Sequence, residues 1–187
     1  MKKIHNLLFL FVLVSTSWSL PGLTSDLEKE KRWAEQIVDS LLVGDEQRLK
    51  AGDTEFLGIF AEASGGPSGR AVILLHGIGA HPDWPDVISP LRSDLPDHGW
   101  STLSIQLPVL TNDAALADYA PLFDEAGPRI AAAAAFLREQ GNRTIVLIGH
   151  SLGASMGASW LAGSDQKAVN GFVAIGMSVI ELDARMN

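Results

Sequence analysis

The stretch TIVLIGHSLGASMGASW, Thr144 to Trp160, decides the fold. Thr144 to Ile148 are β-branched residues and Leu without polar alternation, the pattern of a strand covered on both faces. Gly149-His150-Ser151-Leu152-Gly153 then sets a serine between two glycines, and the small residues that follow suit a helix packed closely on that strand. Gly149 and Gly153 leave room where a Cβ would collide with the neighbouring strand and helix. Ser151 can therefore be held in a strained turn with its hydroxyl exposed. The helix that starts there aims its N–H groups and positive dipole end at the same spot. Two readings are open: a nucleophile beside a ready oxyanion site, or a tight turn without chemistry. A strand before and a helix after favour the first.

A second buried strand ends in a similar way. AVILLHGIG, Ala71 to Gly79, runs into His76-Gly77-Ile78-Gly79, where the glycines let the loop fold so that the Ile78 N–H can face the serine. With the Leu152 N–H this makes the pair of donors that acyl transfer requires. The alternative for Gly77 and Gly79 is an ordinary strand-to-helix turn.

Around these motifs the chain reads as an α/β protein. Leu27 to Val43 places Trp33, Ile37, Val38, Leu41 and Leu42 at helical spacing among charges, with Gly44 as the expected stop. Gln47–Leu49 and Glu55–Ala61, joined by Ala51-Gly52-Asp53, form an expected hairpin, and SGGPSG breaks the chain before Arg70. The remaining elements are a helix within Val87 to Leu95, the strand STLSIQLP, a helix from about Pro121 to Gln140, and the strand GFVAIG. Pro128 and the run Ala131 to Ala135 suit that long helix, and Gly141 ends it. The expected fold is a mostly parallel sheet with helices on both faces and an N-terminal hairpin. Three segments are expected: 1–19 for export, 20–54 as the N-terminal helix and start of the hairpin, and 55–187 as the α/β domain.

Both motifs, and the order of strands and helices between them, resemble the α/β-hydrolase superfamily. LLHGIGAHPDWPDVISPLRSDLPDHGWSTLSIQLP, Leu74 to Pro108, more narrowly resembles a family of exported bacterial α/β-hydrolase-like proteins of unknown function. The resemblance spans about Phe56 to Ile180. It implies a serine mechanism on a small ester or amide, without a cofactor, and an exported location.

The histidines sort by position. His150 leaves the turn on the side away from the serine and reads as a packing or hydrogen-bonding residue, with lining of the site as its alternative. His76 closes a buried strand and reads as a loop-ordering donor. His81, in GAHPDWP with Asp83 and Trp84, reads as a loop-stabilising residue that also has access to a substrate. His76, His81 and His98 do not make a metal set, and no metal is expected. In the superfamily the triad follows the order serine, acid, histidine. From Leu152 to Asn187 there is no histidine, and Glu181 and Asp183 stand just past the last strand as acids in a less common position. Two expectations follow: the 187 residues are the front of a longer hydrolase, or they are a shortened relative that has kept the fold as a binding protein. The first is favoured, with the sheet's last strands missing.

The first nineteen residues carry Lys2 and Lys3, the apolar run Leu7 to Val14, and small residues with Ser17 and Ser19 spaced for cleavage, the pattern of a signal peptide. Eight apolar residues are too few for the roughly 20 of a membrane span, so membrane contact is expected only during export. Formal net charge is −8, and removal of two of the 14 Lys and Arg against 22 Asp and Glu takes it to −10. That argues against nucleic acid or anionic lipid as a partner. With no cysteine, an oxidising compartment contributes no disulfides.

Overall fold

The computed structural model describes residues 24–163 and 168–177. The signal-peptide reading of 1–19 and the acids Glu181 and Asp183 lie outside the described residues. Helix α1 (Leu27–Ser40) opens on Asp26, whose side chain accepts the Lys29 N–H, and its Ala34 and Ile37 pack on Leu57 and Ile59. The helix was expected to run to Val43 but stops at Ser40, where the Ser40 hydroxyl bonds the carbonyls of Gln36 and Ile37. Leu41 is already extended. Gly44, at φ 79°, turns the chain into the hairpin instead of ending the helix, and a Cβ there would lie 2.6 Å from the Phe60 carbonyl oxygen.

Strands β1 (Asp45–Ala51) and β2 (Thr54–Ala61) form the hairpin across Gly52-Asp53. They continue into one six-stranded sheet with β3 (Arg70–Leu75), β4 (Ser101–Ile105), β5 (Thr144–His150) and β6 (Gly171–Ile175), in the order β1-β2-β4-β3-β5-β6. β4, β3, β5 and β6 run parallel, and β2 joins β4 antiparallel. This is the expected mostly parallel sheet. Its apolar strands are unalternated because each face has its own cover: Ala71, Ile73 and Leu75 pack in one cluster, Val72 and Leu74 in another. Helices α3 (Phe123–Glu139) and α4 (Leu152–Gly163) cover the first face, while α1 and α2 (Ile88–Asp94) cover the second.

Helix α3 begins at Phe123, after a 3-10 segment Leu116–Leu122, close to the expected start at about Pro121, and Pro128 sits inside it. Gly141, at φ 85°, follows its end. No helix among the described residues is long and apolar enough to cross a membrane.

Register places the site. Leu75 lies beside Ile105 on one side and Gly149 on the other, so β3, β4 and β5 end level. The segments beginning at His76, Gln106 and Ser151 therefore leave from the same carboxyl edge, where open α/β sheets bind ligands.

Candidate functional site

Ser151 stands between the end of β5 and the start of α4 with φ 52°, the one positive φ at a non-glycine among the described residues. Such a backbone costs of order 1–3 kcal/mol and persists only where its surroundings over-determine it. They do so here. The Ser151 N–H donates to the Ile175 carbonyl at the end of β6 (2.8 Å), and the Ser151 carbonyl accepts from the Ala154 and Ser155 N–H groups in the first turn of α4. A Cβ on Gly149 would lie 2.5 Å from the Ala154 Cα, and one on Gly153 only 2.3 Å from the His76 carbonyl oxygen. These glycines allow α4 to start directly against β3 and β5. Ser151 remains half-exposed, while the Leu152 side chain is buried.

The loop after β3 presses on this turn. A Cβ on Gly77 would lie 3.2 Å from the Ser151 Cβ and 3.4 Å from His150 Nδ1, so both residues flank the same glycine. Gly79 has φ 64° and open space around it, and the Ile78 side chain is exposed.

His76, 1% exposed, holds that loop. The Leu107 N–H donates to its Nε2 at 2.9 Å, which leaves the proton of the neutral ring on Nδ1, donating to the Gly77 carbonyl at 2.9 Å. In a planar trans peptide the Gly77 carbonyl and the Ile78 N–H point to opposite sides. Fixing the one fixes the other. Burial lowers the His76 pKa from 6.5 to about 3, against the hydrogen bond to Gly77, which raises it. The ring is accordingly neutral and engaged at both nitrogens. His81 is half-buried, accepts the Asp83 N–H at Nδ1 and lies between Trp33 and Trp84. Burial lowers its pKa, with Asp83 opposing. His98 ends the 3-10 turn Leu95–His98. Among the described residues no group of three His, Cys, Asp or Glu is arranged to hold a metal.

A polar network beside this edge was not anticipated. Arg129 and Glu30, with side chains 1% and 6% exposed, pair at 2.7 Å and tie α3 to α1. Arg129 also donates to the Gln106 carbonyl, and Glu30 accepts the Val109 N–H. Lys29 donates to the Leu110 carbonyl and Asn112 Oδ1, both at 2.7 Å. Helix α1 thus anchors the segment that leaves β4. Burial pushes the Glu30 carboxyl above its ordinary range, and Arg129 pulls it down. The signal for this network was phase: Glu30 falls on the stripe of Ala34 and Ile37, and Arg129 on that of Ala126, Ile130 and Ala133. Hollows of about 350 and 420 Å3 lie between α1, the hairpin and α3, and no residue of the Ser151 turn lines them.

Residues 21–128 match the family described as Protein of unknown function (DUF3530). The chain belongs to this family. The match takes in Gly77, Ile78, Gly79 and His81 and stops before Ser151. No sequence match to a curated protein is found. Among solved structures, an esterase from Pyrococcus furiosus is similar at 20% identity and TM-score 0.58, over 75% of this chain and 53% of its own. A dienelactone hydrolase from Anabaena variabilis matches at 18% identity and TM-score 0.54, over 71% of this chain and 63% of its own. A cold-adapted esterase from an Arctic intertidal metagenomic library matches at 24% identity and TM-score 0.56, over 69% of this chain and 58% of its own. The chain spans between half and two thirds of the length of these structures. The DUF3530 chain thus has an α/β-hydrolase fold.

Proposed function

We propose that this DUF3530 protein is an exported serine hydrolase-like protein acting on a small-molecule carboxylic ester or amide. The observation that carries the reading is Ser151: strain is placed on a serine, at a turn whose flanking glycines have backbone where a Cβ would be. In this reading the Ser151 hydroxyl attacks the substrate carbonyl carbon. The Leu152 N–H, at the positive end of α4, and the Ile78 N–H, oriented through His76 and Gly77, take the charge that develops on the carbonyl oxygen. The nucleophile requires a base to accept its proton. His76 is not that base, because both its nitrogens are engaged and its basicity is far too low at neutral pH. The names of the similar structures, two of them esterases and one a dienelactone hydrolase, support an ester as the substrate class. Export rests on the Lys, apolar and small-residue order of residues 1–19.

The test is labelling of the 187-residue chain with a fluorophosphonate, followed by peptide mass spectrometry. An adduct on Ser151, absent in a folded Ser151→Ala variant, is the expected result. An adduct on another residue, or ester turnover that survives Ser151→Ala, overturns the assignment.

A further inference from the structure

A hollow of about 270 Å3 lies between α1 and the turn after β3, lined by Trp33, Gln36, Ser40, His81, Asp83 and Trp84 among others. It shares no residue with the Ser151 turn. Its volume is below the roughly 300–1,000 Å3 that drug-sized ligands occupy, so it suits a single ring. Two indoles stand steeply to the imidazole: Trp33 and His81 have centroids 5.6 Å apart at 64°, and His81 and Trp84 5.3 Å apart at 75°. All three rings are half-buried and so present surface to solvent.

The polar groups of the hollow decide what kind of ring. The Asp83 carboxylate is matched by Arg92, whose Nη2 and Nε both donate to Oδ1, at 2.6 and 3.2 Å. Asp83 Oδ2 makes no hydrogen bond among the described residues and retains its acceptor capacity. The Lys29 ammonium, which lines a separate hollow, lies 4.7 Å from the Trp33 ring centroid and occupies that side of the indole. Arg92 already compensates the Asp83 carboxylate, so a quaternary ammonium group is disfavoured. His81 accepts the Asp83 N–H at Nδ1, which leaves Nε2–H as a donor on the neutral ring. The exposed Gln36 amide adds both a donor and an acceptor. Aromatic faces combined with alternating donors and acceptors, and little net charge, complement a ring with one C–H face and a rim of hydroxyls.

We propose that this hollow is a carbohydrate-binding site that takes one neutral pyranose ring of a glycan, stacked on the tryptophans with its hydroxyls on His81, Asp83 and Gln36. The site acts independently of Ser151. The test uses the whole chain, titrated with cellobiose, maltose and chitobiose, and with choline chloride as the cationic comparator, reading tryptophan emission and saturation-transfer NMR. At least one disaccharide binds saturably. Trp84→Ala weakens that binding by about tenfold, as expected for loss of a stacking face. Gln36→Ala, an exposed helical substitution that leaves stability unchanged, weakens it about threefold. Failure of all three sugars to saturate overturns the proposal, as does tighter binding of choline than of any sugar. Unchanged affinity in a folded Trp84→Ala variant overturns it too, as does unchanged affinity in Gln36→Ala. If Trp84→Ala does not fold, Gln36→Ala decides.

Discussion

At Gly52, in the hairpin loop, an added Cβ would meet nothing within 4 Å, and the glycine serves its φ of 59°. At Gly149 and Gly153 the reverse holds: neither has a positive φ, and each has backbone atoms within 3 Å of where a Cβ would be. The positive φ of that second turn falls on Ser151. A turn selected only for connection would put its glycine where φ is positive, as the hairpin does. The Ser151 turn uses its glycines for close approach and leaves the strain on a side chain with a hydroxyl. That is the arrangement on which the proposed nucleophile rests.

The largest expected effect comes from acid acting at the Ser151 end and not at the hairpin. His76 has a folded pKa of about 3 against 6.5 unfolded, so the unfolded chain binds the proton first as pH falls. The penalty is absent above pH 6.5, grows by about 1.4 kcal/mol per unit below it, and is complete near pH 3. Over that window it reaches about 5 kcal/mol. Carboxylates titrate in the same range, so the readout is a difference: denaturant unfolding at pH 7 and pH 4 in the native chain and in His76→Gln. The native chain should lose more stability on acidification. Equal losses would show that His76 does not carry the acid sensitivity.

Gly153→Ala comes next. Its Cβ would fall 2.3 Å from the His76 carbonyl oxygen and 2.6 Å from that of Leu75, both backbone atoms that move only if β3 and α4 separate. A loss of about 3 kcal/mol or more is expected, at the upper end of overpacking costs. Fluorophosphonate labelling of Ser151 should fall with it. A denaturation midpoint near that of the native chain would remove the close-approach account of the glycine.

Much of this contrast is legible in the sequence itself. Unalternated apolar runs marked β3 and β5, and Gly-x-Ser-x-Gly between a strand and a helix marked the turn, because close packing and backbone freedom leave few residue choices. Helical phase signals that Glu30 and Arg129 face inward, but not that they pair, because the partner lies 99 residues away on another helix. The end of α1 at Ser40 was missed for a local reason. Leu41 continues the apolar spacing, and Leu41 does pack with the α1 cluster, but from an extended backbone. The sequence marks His76 as a loop-ordering donor, but its second contact, with Leu107, depends on the level ends of β3 and β4.

Ser151→Gly measures the strain itself. Glycine adopts φ 52° without the steric penalty of a Cβ, so the variant should unfold later than the native chain by about 1 kcal/mol, while Ser151→Ala, which keeps the Cβ, should not. Interior glycines ordinarily destabilise. A gain in Ser151→Gly therefore isolates the turn, and a loss would show that the Ser151 side chain stabilises the fold by more than its backbone costs.

The smallest effect is expected at Gly52, and it completes the contrast. Its φ of 59° lies in the left-handed region that Asn tolerates better than other side chains, and open space surrounds the position. Gly52→Asn should change stability by no more than about 0.5 kcal/mol, because the small conformational cost of Asn is offset by a less flexible unfolded chain. The same exchange at Gly153 would drive a larger side chain into the Leu75 and His76 carbonyls. Thermal unfolding of the two Asn variants side by side reads the difference directly. Comparable losses at both positions would mean that the hairpin turn is as constrained as the Ser151 turn, and the inference from strain to function would lose its reference point.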